Sequence, residues 1–414
     1  MKKLFLVAII LIAIIVTAAF LIPQTLMNKS TPNRPFYAGV TYCGNSTAEA
    51  KLLIDRVKTY TNLFVIQSLN FSQNETALTE ICDYAVAQNL NIIINPLTAA
   101  QNYTMLNTTL TWQLPLLQTA KERWGEKFLA LYYDDEPGGI HLDYDWTGFF
   151  NSPEFAMYSH YPNNPLYKIY QDTQNPNQTT PRNYTREAKW FTNLINRTIF
   201  PERWKQAGVT SLTSDYAFYW WDYLGGYDVI LAQLGWNHTL TQDIALVRGA
   251  AHMQNKSWGT ILTWKYDRPP YIDSPENIYQ QLLMSYQAGA TYAVIFNYPQ
   301  YPEGNPYGIL TDEHLQGLER FWNEITTQPN AQNLTDYSQA EAVLVLPQNY
   351  GWGMRNPNDR IWGMWGPDER SPQIWNISRT LLTQYGLSLD IIYEDPAFPP
   401  AGKYSKIYYW NQTI

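Results

Sequence analysis

The sequence predicts an α/β protein: a (β/α)8 barrel followed by a small parallel α/β domain. Three observations predict it. From Phe36 onward, short runs rich in β-branched and aromatic residues alternate eight times with amphipathic helical stretches, over about 290 residues. The eight units follow one another without a break, which favours closure into a barrel over an open doubly wound sheet, the alternative. After Ile325 comes a polar linker, TTQPNAQNLTDYSQ, and then only three more strand-like runs around one helix.

The first unit is FYAGVTY (36–42) with STAEAKLLIDRVKTY, the second LFVIQSL (63–69) with NETALTEICDYAVAQN. NIIINP (91–96) precedes WQLPLLQTAKERWGE. FLALYYDDE (128–136) is fourth, followed by a long Pro/Asn/Tyr-rich insertion and the helix TREAKWFTNLINR. VTSLTSDY (209–216) is fifth and has only a short aromatic segment, AFYWWDYLGG, after it. YDVILAQLGW (227–236) leads into LTQDIALVRGAAHMQ, and WGTILTWKYD (258–267) into SPENIYQQLLMSYQAG, where Ser274 reads as an N-cap with Asn277 at N3. ATYAVIFNYP (290–299) with TDEHLQGLERFWNEI is the eighth. The division expected is a membrane segment in 1–30, the barrel in 34–326, a linker in 327–339 and the small domain in 340–414. With so few strands, that last domain is either incomplete or docked on the barrel, and it is a candidate oligomerisation surface.

Residues 4–22, LFLVAIILIAIIVTAAFLI, form an uncharged apolar run that as a helix would extend about 28 Å, close to a bilayer's hydrocarbon thickness. Lys2 and Lys3 before it predict a cytoplasmic N-terminus and an external body. The run exceeds the usual signal-peptide core, so an uncleaved anchor is expected; a signal peptide cleaved near Ala18 and Ala19 is the alternative. The expected location is the cell surface, or secretion if the segment is removed.

Fourteen Asn-x-Ser/Thr triplets agree with export: Asn28, Asn45, Asn70, Asn74, Asn102, Asn107, Asn177, Asn183, Asn196, Asn237, Asn255, Asn333, Asn376 and Asn411. With 32 Asn in the chain, chance would supply about 4. Cys43 and Cys82, the two cysteines, form either a disulfide in an oxidising compartment or two free thiols. The chain is 15% charged, with net charge −8 and no basic cluster beyond Lys2 and Lys3, which excludes nucleic acid as the expected partner.

In such barrels the chemistry sits at the C-terminal strand ends. There the fourth run ends in Asp134, Asp135 and Glu136. Strand alternation would send Asp134 and Glu136 to one side and Asp135 to the other, if extended geometry persists. A carboxyl crowded by two others resists ionisation, which suits a general acid for glycoside cleavage. Acidic strand ends also cap helices, bind cations or face water. Asp215 after the fifth run and Asp267 after the seventh are candidates for nucleophile or base, with Glu303 in the loop after the eighth. Asp228 begins the sixth run, the stabilising end. Tyr42, Tyr216, Trp220, Trp221, Trp236, Trp264, Tyr266 and Tyr298 fall on the same rim, as sugar-stacking surfaces or as core.

Tyr133-Asp134-Asp135-Glu136-Pro137 resembles the Asp-Glu-Pro motif of glycoside hydrolase family 123 and, more loosely, the Asp-Glu pair of family 20 hexosaminidases. The resemblance implies that Glu136 is the acid and that Asp135 orients the substrate's 2-acetamido group, which acts as nucleophile. A barrel followed by EAVLVLPQNYGWGMR and LDIIYEDP is similar to family 42 β-galactosidases, whose barrel precedes an amidotransferase-like domain. Those enzymes carry Asn-Glu after strand four and Glu after strand seven. This chain has Asp135-Glu136 and TWKYD instead, a departure from their double-Glu mechanism.

HExxH, GxSxG, P-loop, GxGxxG and CxxC motifs are absent, so no metal or cofactor is expected. His141 with Asp143 and Asp145 in HLDYD reads as a solvated loop, with a cation site as the rival. The expectation is an exported, membrane-tethered glycoside hydrolase-like protein that acts on or binds carbohydrate. The alternative is a non-catalytic glycan-binding or structural surface glycoprotein. The alternative is favoured by the sequons at Asn45, Asn70, Asn74, Asn102, Asn107, Asn177, Asn183 and Asn237, which follow strand ends and would crowd the mouth.

Overall fold

The computed structural model describes residues 34–96, 112–158, 161, 163–173, 182–199, 201–236, 238–301, 305–327 and 334–414. The apolar run 4–22, Glu303, and the sequons at Asn28, Asn102, Asn107, Asn177, Asn237 and Asn333 lie outside them. Among the described residues no helix is long and apolar enough to cross a membrane.

Eight parallel strands close into a barrel in chain order: β1 (Tyr37–Tyr42), β2 (Leu63–Ile66), β3 (Asn91–Ile94), β4 (Phe128–Tyr132), β5 (Ser211–Asp215), β6 (Val229–Leu234), β7 (Ser257–Leu262) and β8 (Tyr292–Ile295). Closure comes from β1 against β8, with Tyr37 opposite Tyr292 and Val40 opposite Ile295. Side chains on one parity, among them Leu63, Val65, Ile93, Ala130, Tyr132, Leu212, Leu231, Ile261 and Val294, fill the barrel as their own apolar cluster. The other parity packs under the helices.

Several helices begin where a side chain meets the local donor deficit. Ser46 accepts from Glu49 N at the start of α1 (Thr47–Val57), and Asn74 from Ala77 N at α2 (Glu75–Ala87). α3 (Gln113–Trp124) precedes β4. Among its described residues the long insertion contains four short helices that the sequence did not announce: α4 (Pro137–Asp143), α5 (Trp146–Phe150), α6 (Pro153–Tyr158) and α7 (Pro165–Thr173). Next come α8 (Tyr184–Ile199) and α9 (Pro201–Gln206). The aromatic segment after β5 is itself a helix, α10 (Tyr219–Gly225). α11 (Leu240–Gln254), α12 (Pro275–Gln287) and α13 (Asp312–Thr326) complete the ring, with Ser274 capping α12 through Asn277 N as expected.

The C-terminal part is a three-stranded parallel sheet in the order β10-β9-β11, with β9 (Ala342–Leu346), β10 (Leu389–Tyr393), β11 (Lys406–Tyr409) and one helix, α14 (Ser371–Tyr385). Its core is continuous with that of the barrel. Arg248 of α11 is fully buried at the junction and spends all its donors there. Its Nε donates to Asp390 Oδ1 at 2.7 Å. Its terminal nitrogens donate to the carbonyls of Ala288, Tyr337, Leu387 and Leu389. Burial pushes the Asp390 carboxyl up, but the Arg248 charge and His252 outweigh it and hold the group below the ordinary range.

Candidate active site

The acidic triplet lies at the C-terminal mouth, and extended geometry stops before it. Asp134 and Glu136 take left-handed backbone conformations, with φ of 59° and 56°. This breaks the strict alternation expected along the strand, so Asp135 and Glu136 share one hydrogen-bond network. The Tyr132 and Ser214 hydroxyls each donate to Asp135 Oδ1 at 2.7 Å. Gln233 Nε2 donates to Ser214 Oγ at 2.9 Å and to Glu136 Oε1 at 2.7 Å. Gln67 Nε2 reaches Asp135 Oδ2 at a long 3.4 Å, which leaves that oxygen weakly held.

Gln67, Ser214 and Gln233 come two residues after the interior residues Val65, Leu212 and Leu231, so they form the polar upper layer of the barrel lumen. The sequence reading missed them. The signal was there, as a polar residue at the inward parity at the end of each apolar run: VIQ, LTS and LAQ.

Burial pushes the Glu136 carboxyl up to about 7; the neighbouring Asp135 charge adds to this and the Gln233 hydrogen bond opposes it. Asp134 is pushed up to about 6, again chiefly by burial, against a hydrogen bond from its neighbour's backbone N–H. Asp135 is raised by burial and partly restored by Tyr132, Ser214 and Gln67. One acid near neutrality therefore stands beside a second buried carboxyl that has three donors. Replacing Gln233 with Leu removes a donor that favours ionised Glu136. Any rate that depends on the Glu136 proton should then keep its basic limb about half to one pH unit higher, as a pH–rate profile would show.

Asp215 has a structural role rather than that of a nucleophile. It is fully buried and accepts from the backbone N–H groups of Gly138 (2.6 Å), Gly139 (2.8 Å), Tyr216 (2.7 Å) and Ala217 (3.1 Å). It thus caps α4 from the next strand and fixes the turn that presents Glu136. Gly139 is required there, because a Cβ would fall 2.2 Å from the Tyr216 ring. Burial raises Asp215 to about 7, and raises the adjoining buried Asp222 well above its usual range. Asp267 is exposed in the loop after β7, outside the triplet's network. Asp228 braces the opposite end, accepting from Ser211 N and pairing with Lys256.

These raised carboxyls fix the sign of the stability–pH relation. Folded Asp134, Glu136 and Asp215 keep protons that the unfolded chain has lost, so stability falls as pH rises from about 4 through 7. Denaturation midpoints should be higher at pH 5 than at pH 8.

The aromatic candidates divide. Tyr42 is fully buried; its hydroxyl braces Ser46 and its ring stacks on Phe71. Trp220 and Trp221 are buried too, because α10 turns them toward the small sheet: Trp221 packs on Trp362 and Tyr393, Trp220 on Phe398. None of the three is a sugar platform. Trp236 (44% exposed), Trp264 and Tyr298 (36% exposed) follow the C-terminal ends of β6, β7 and β8. Trp264 and Tyr298 are in ring contact at 5.0 Å, and Tyr266 is exposed nearby. Tyr216 is half-buried and donates to Asp143 Oδ2 at 2.9 Å. Arg355 of the small domain grips the same Asp143 through two hydrogen bonds.

One other expectation changes. His141 is not in a solvated loop. It is buried in α4 among Trp146, Trp190, Phe191, Phe218 and Trp362, with Nε2 3.1 Å from Glu187. Asp145 caps α5. Cys43 and Cys82 are free thiols: Cys43 leaves β1 with Sγ 3.6 Å from Thr41 Oγ1, whereas Cys82 faces the core from α2. Burial pushes the Cys82 thiol well above its ordinary value, and the half-buried Cys43 thiol is raised too. Among the described residues no cluster of three metal-ligating side chains occurs.

No family model matches the chain, and no curated protein does. Solved structures resemble the chain at low similarity. A truncated 3-deoxy-D-arabino-heptulosonate 7-phosphate synthase from Thermotoga maritima is 9% identical over 73% of this chain and 90% of its own, with a TM-score of 0.37. The endo-β-1,4-glucanase Xac0029 from Xanthomonas axonopodis pv. citri is 10% identical over 70% and 100%, with a TM-score of 0.37. An endocellulase from Pyrococcus horikoshii is 11% identical over 70% and 93%, with a TM-score of 0.36. At that degree of likeness the reactions of these enzymes say nothing about this one.

Proposed function

We propose that the barrel is a glycoside hydrolase in which Glu136 protonates the leaving oxygen and Asp135 orients a 2-acetamido group of the substrate. The observation that carries this reading is the Asp135–Glu136 pair, tied together by Tyr132, Ser214 and Gln233 at the mouth, with Glu136 protonated up to about pH 7. In the first step the Glu136 proton goes to the glycosidic oxygen as the C1–O bond breaks and the acetamido oxygen bonds to C1. Asp135, through its weakly held Oδ2, accepts the acetamido N–H. Water then opens the cyclic intermediate, giving its proton to Glu136. The exposed rings of Trp236 and Tyr298, with the half-buried Trp264 beside Tyr298, supply stacking for sugar rings. The run 4–22 would tether the body outside the cell.

One observation favours the non-catalytic glycan-binding reading. Among the described residues Asp215 is consumed as a cap and Asp267 stands apart, so no carboxyl from another strand faces Glu136 as a second catalytic group. Substrate assistance removes the need for one. The test is hydrolysis of aryl glycosides with and without a 2-acetamido group. Turnover confined to the acetamido series is the expected result. Glycan binding without turnover of either series would favour the binding protein.

A further inference from the structure

The sequons have no part in the barrel's chemistry, and the structure separates them into two sets. All eight described sequon asparagines are exposed: Asn45, Asn70, Asn74, Asn183, Asn196, Asn255, Asn376 and Asn411. Their hydroxyl residues differ. Thr76, Thr185, Ser257 and Thr413 are exposed and Thr47 is half-buried. Ser72, Thr198 and Ser378 are instead buried at 3%, 7% and 0%. Each of these three hydroxyls is also committed to a carbonyl within its own turn of chain: Leu69, Ile195 and Trp375 respectively.

The Asn side chains add a second distinction. Asn74 and Asn183 cap helices through Oδ1, accepting from Ala77 N and Arg186 N, and this leaves the nucleophilic Nδ2 outward. Asn196 Nδ2 instead donates to the Gly225 carbonyl at 3.3 Å. Apolar surface also lies beside one acceptor: Tyr409, 40% exposed, precedes Asn411 by two residues. A first sugar on Asn411 would shield it from water.

We propose that Asn45, Asn74, Asn183, Asn255 and Asn411 carry N-linked glycans and that transfer acts on the folded chain. An acceptor sequon must offer the transferase both its amide nitrogen and its hydroxyl, and among the described sequons these five do so once the helices have formed. The co-reactant is a lipid-linked saccharide phosphate. The Asn Nδ2–C1 bond forms, the C1–O bond to phosphate breaks, the lipid phosphate leaves, and one amide proton is lost.

Glycopeptide mass spectrometry on the full chain purified from its native cells tests this. Saccharide mass on those five asparagines, with Asn70, Asn196 and Asn376 bare, is the expected result. Bare peptides at the five would overturn the proposal. Equal occupancy of all eight would overturn transfer to the folded chain, since an unfolded chain exposes every hydroxyl. Neither result depends on whether the barrel hydrolyses anything.

Discussion

Replacing Arg248 with Ala should destabilise the protein by about 3–5 kcal/mol, read as a fall in its denaturation midpoint. The change strands the fully buried Asp390, left with the Tyr404 hydroxyl and His252, and orphans four carbonyls that the guanidinium satisfies. The pair sits where the barrel helix α11 meets β10, so the small sheet should loosen first. A double replacement, Arg248→Met with Asp390→Leu, removes both charges together and should recover most of the loss. If the single variant were as stable as the parent, this junction would not be what holds the two parts together.

Replacing Glu136 with Gln should lower turnover of a 2-acetamido glycoside by about 10²–10⁴-fold, the usual contribution of a positioned general acid, with little change in KM. Gln keeps the shape and can still meet Gln233, but it has no proton to give. Stability should not fall in parallel, because the capping of α4 rests on Asp215. A variant that lost turnover only by unfolding would show the same loss of midpoint as of rate.

The barrel was legible because parallel strands buried on both faces read as short apolar runs, and all eight, together with the three later ones, lie where those runs are. The position of the triplet at the fourth strand end followed directly. Its geometry did not, because the left-handed turns at Asp134 and Glu136 come from tertiary demands that alternation cannot anticipate. Asp215 was misread for a related reason. Whether a buried Asp caps or attacks depends on which N–H groups fold against it, and two of its four donors come from more than seventy residues upstream. Trp220 and Trp221 were placed on the rim because they closely follow the fifth strand end in a short aromatic segment; as a helix that segment turns both rings into the small-sheet junction. Gln67, Ser214 and Gln233 were within reach of the inward parity alone.

The most direct test of the central claim is the pH dependence of kcat/KM for wild-type protein on an aryl 2-acetamido glycoside, from pH 5 to 9. A general acid held near 7 by burial and by Asp135 predicts a rate that falls tenfold per pH unit above about pH 7. A rate that stays level to pH 9, or one already falling from pH 5, would contradict Glu136 as the proton donor.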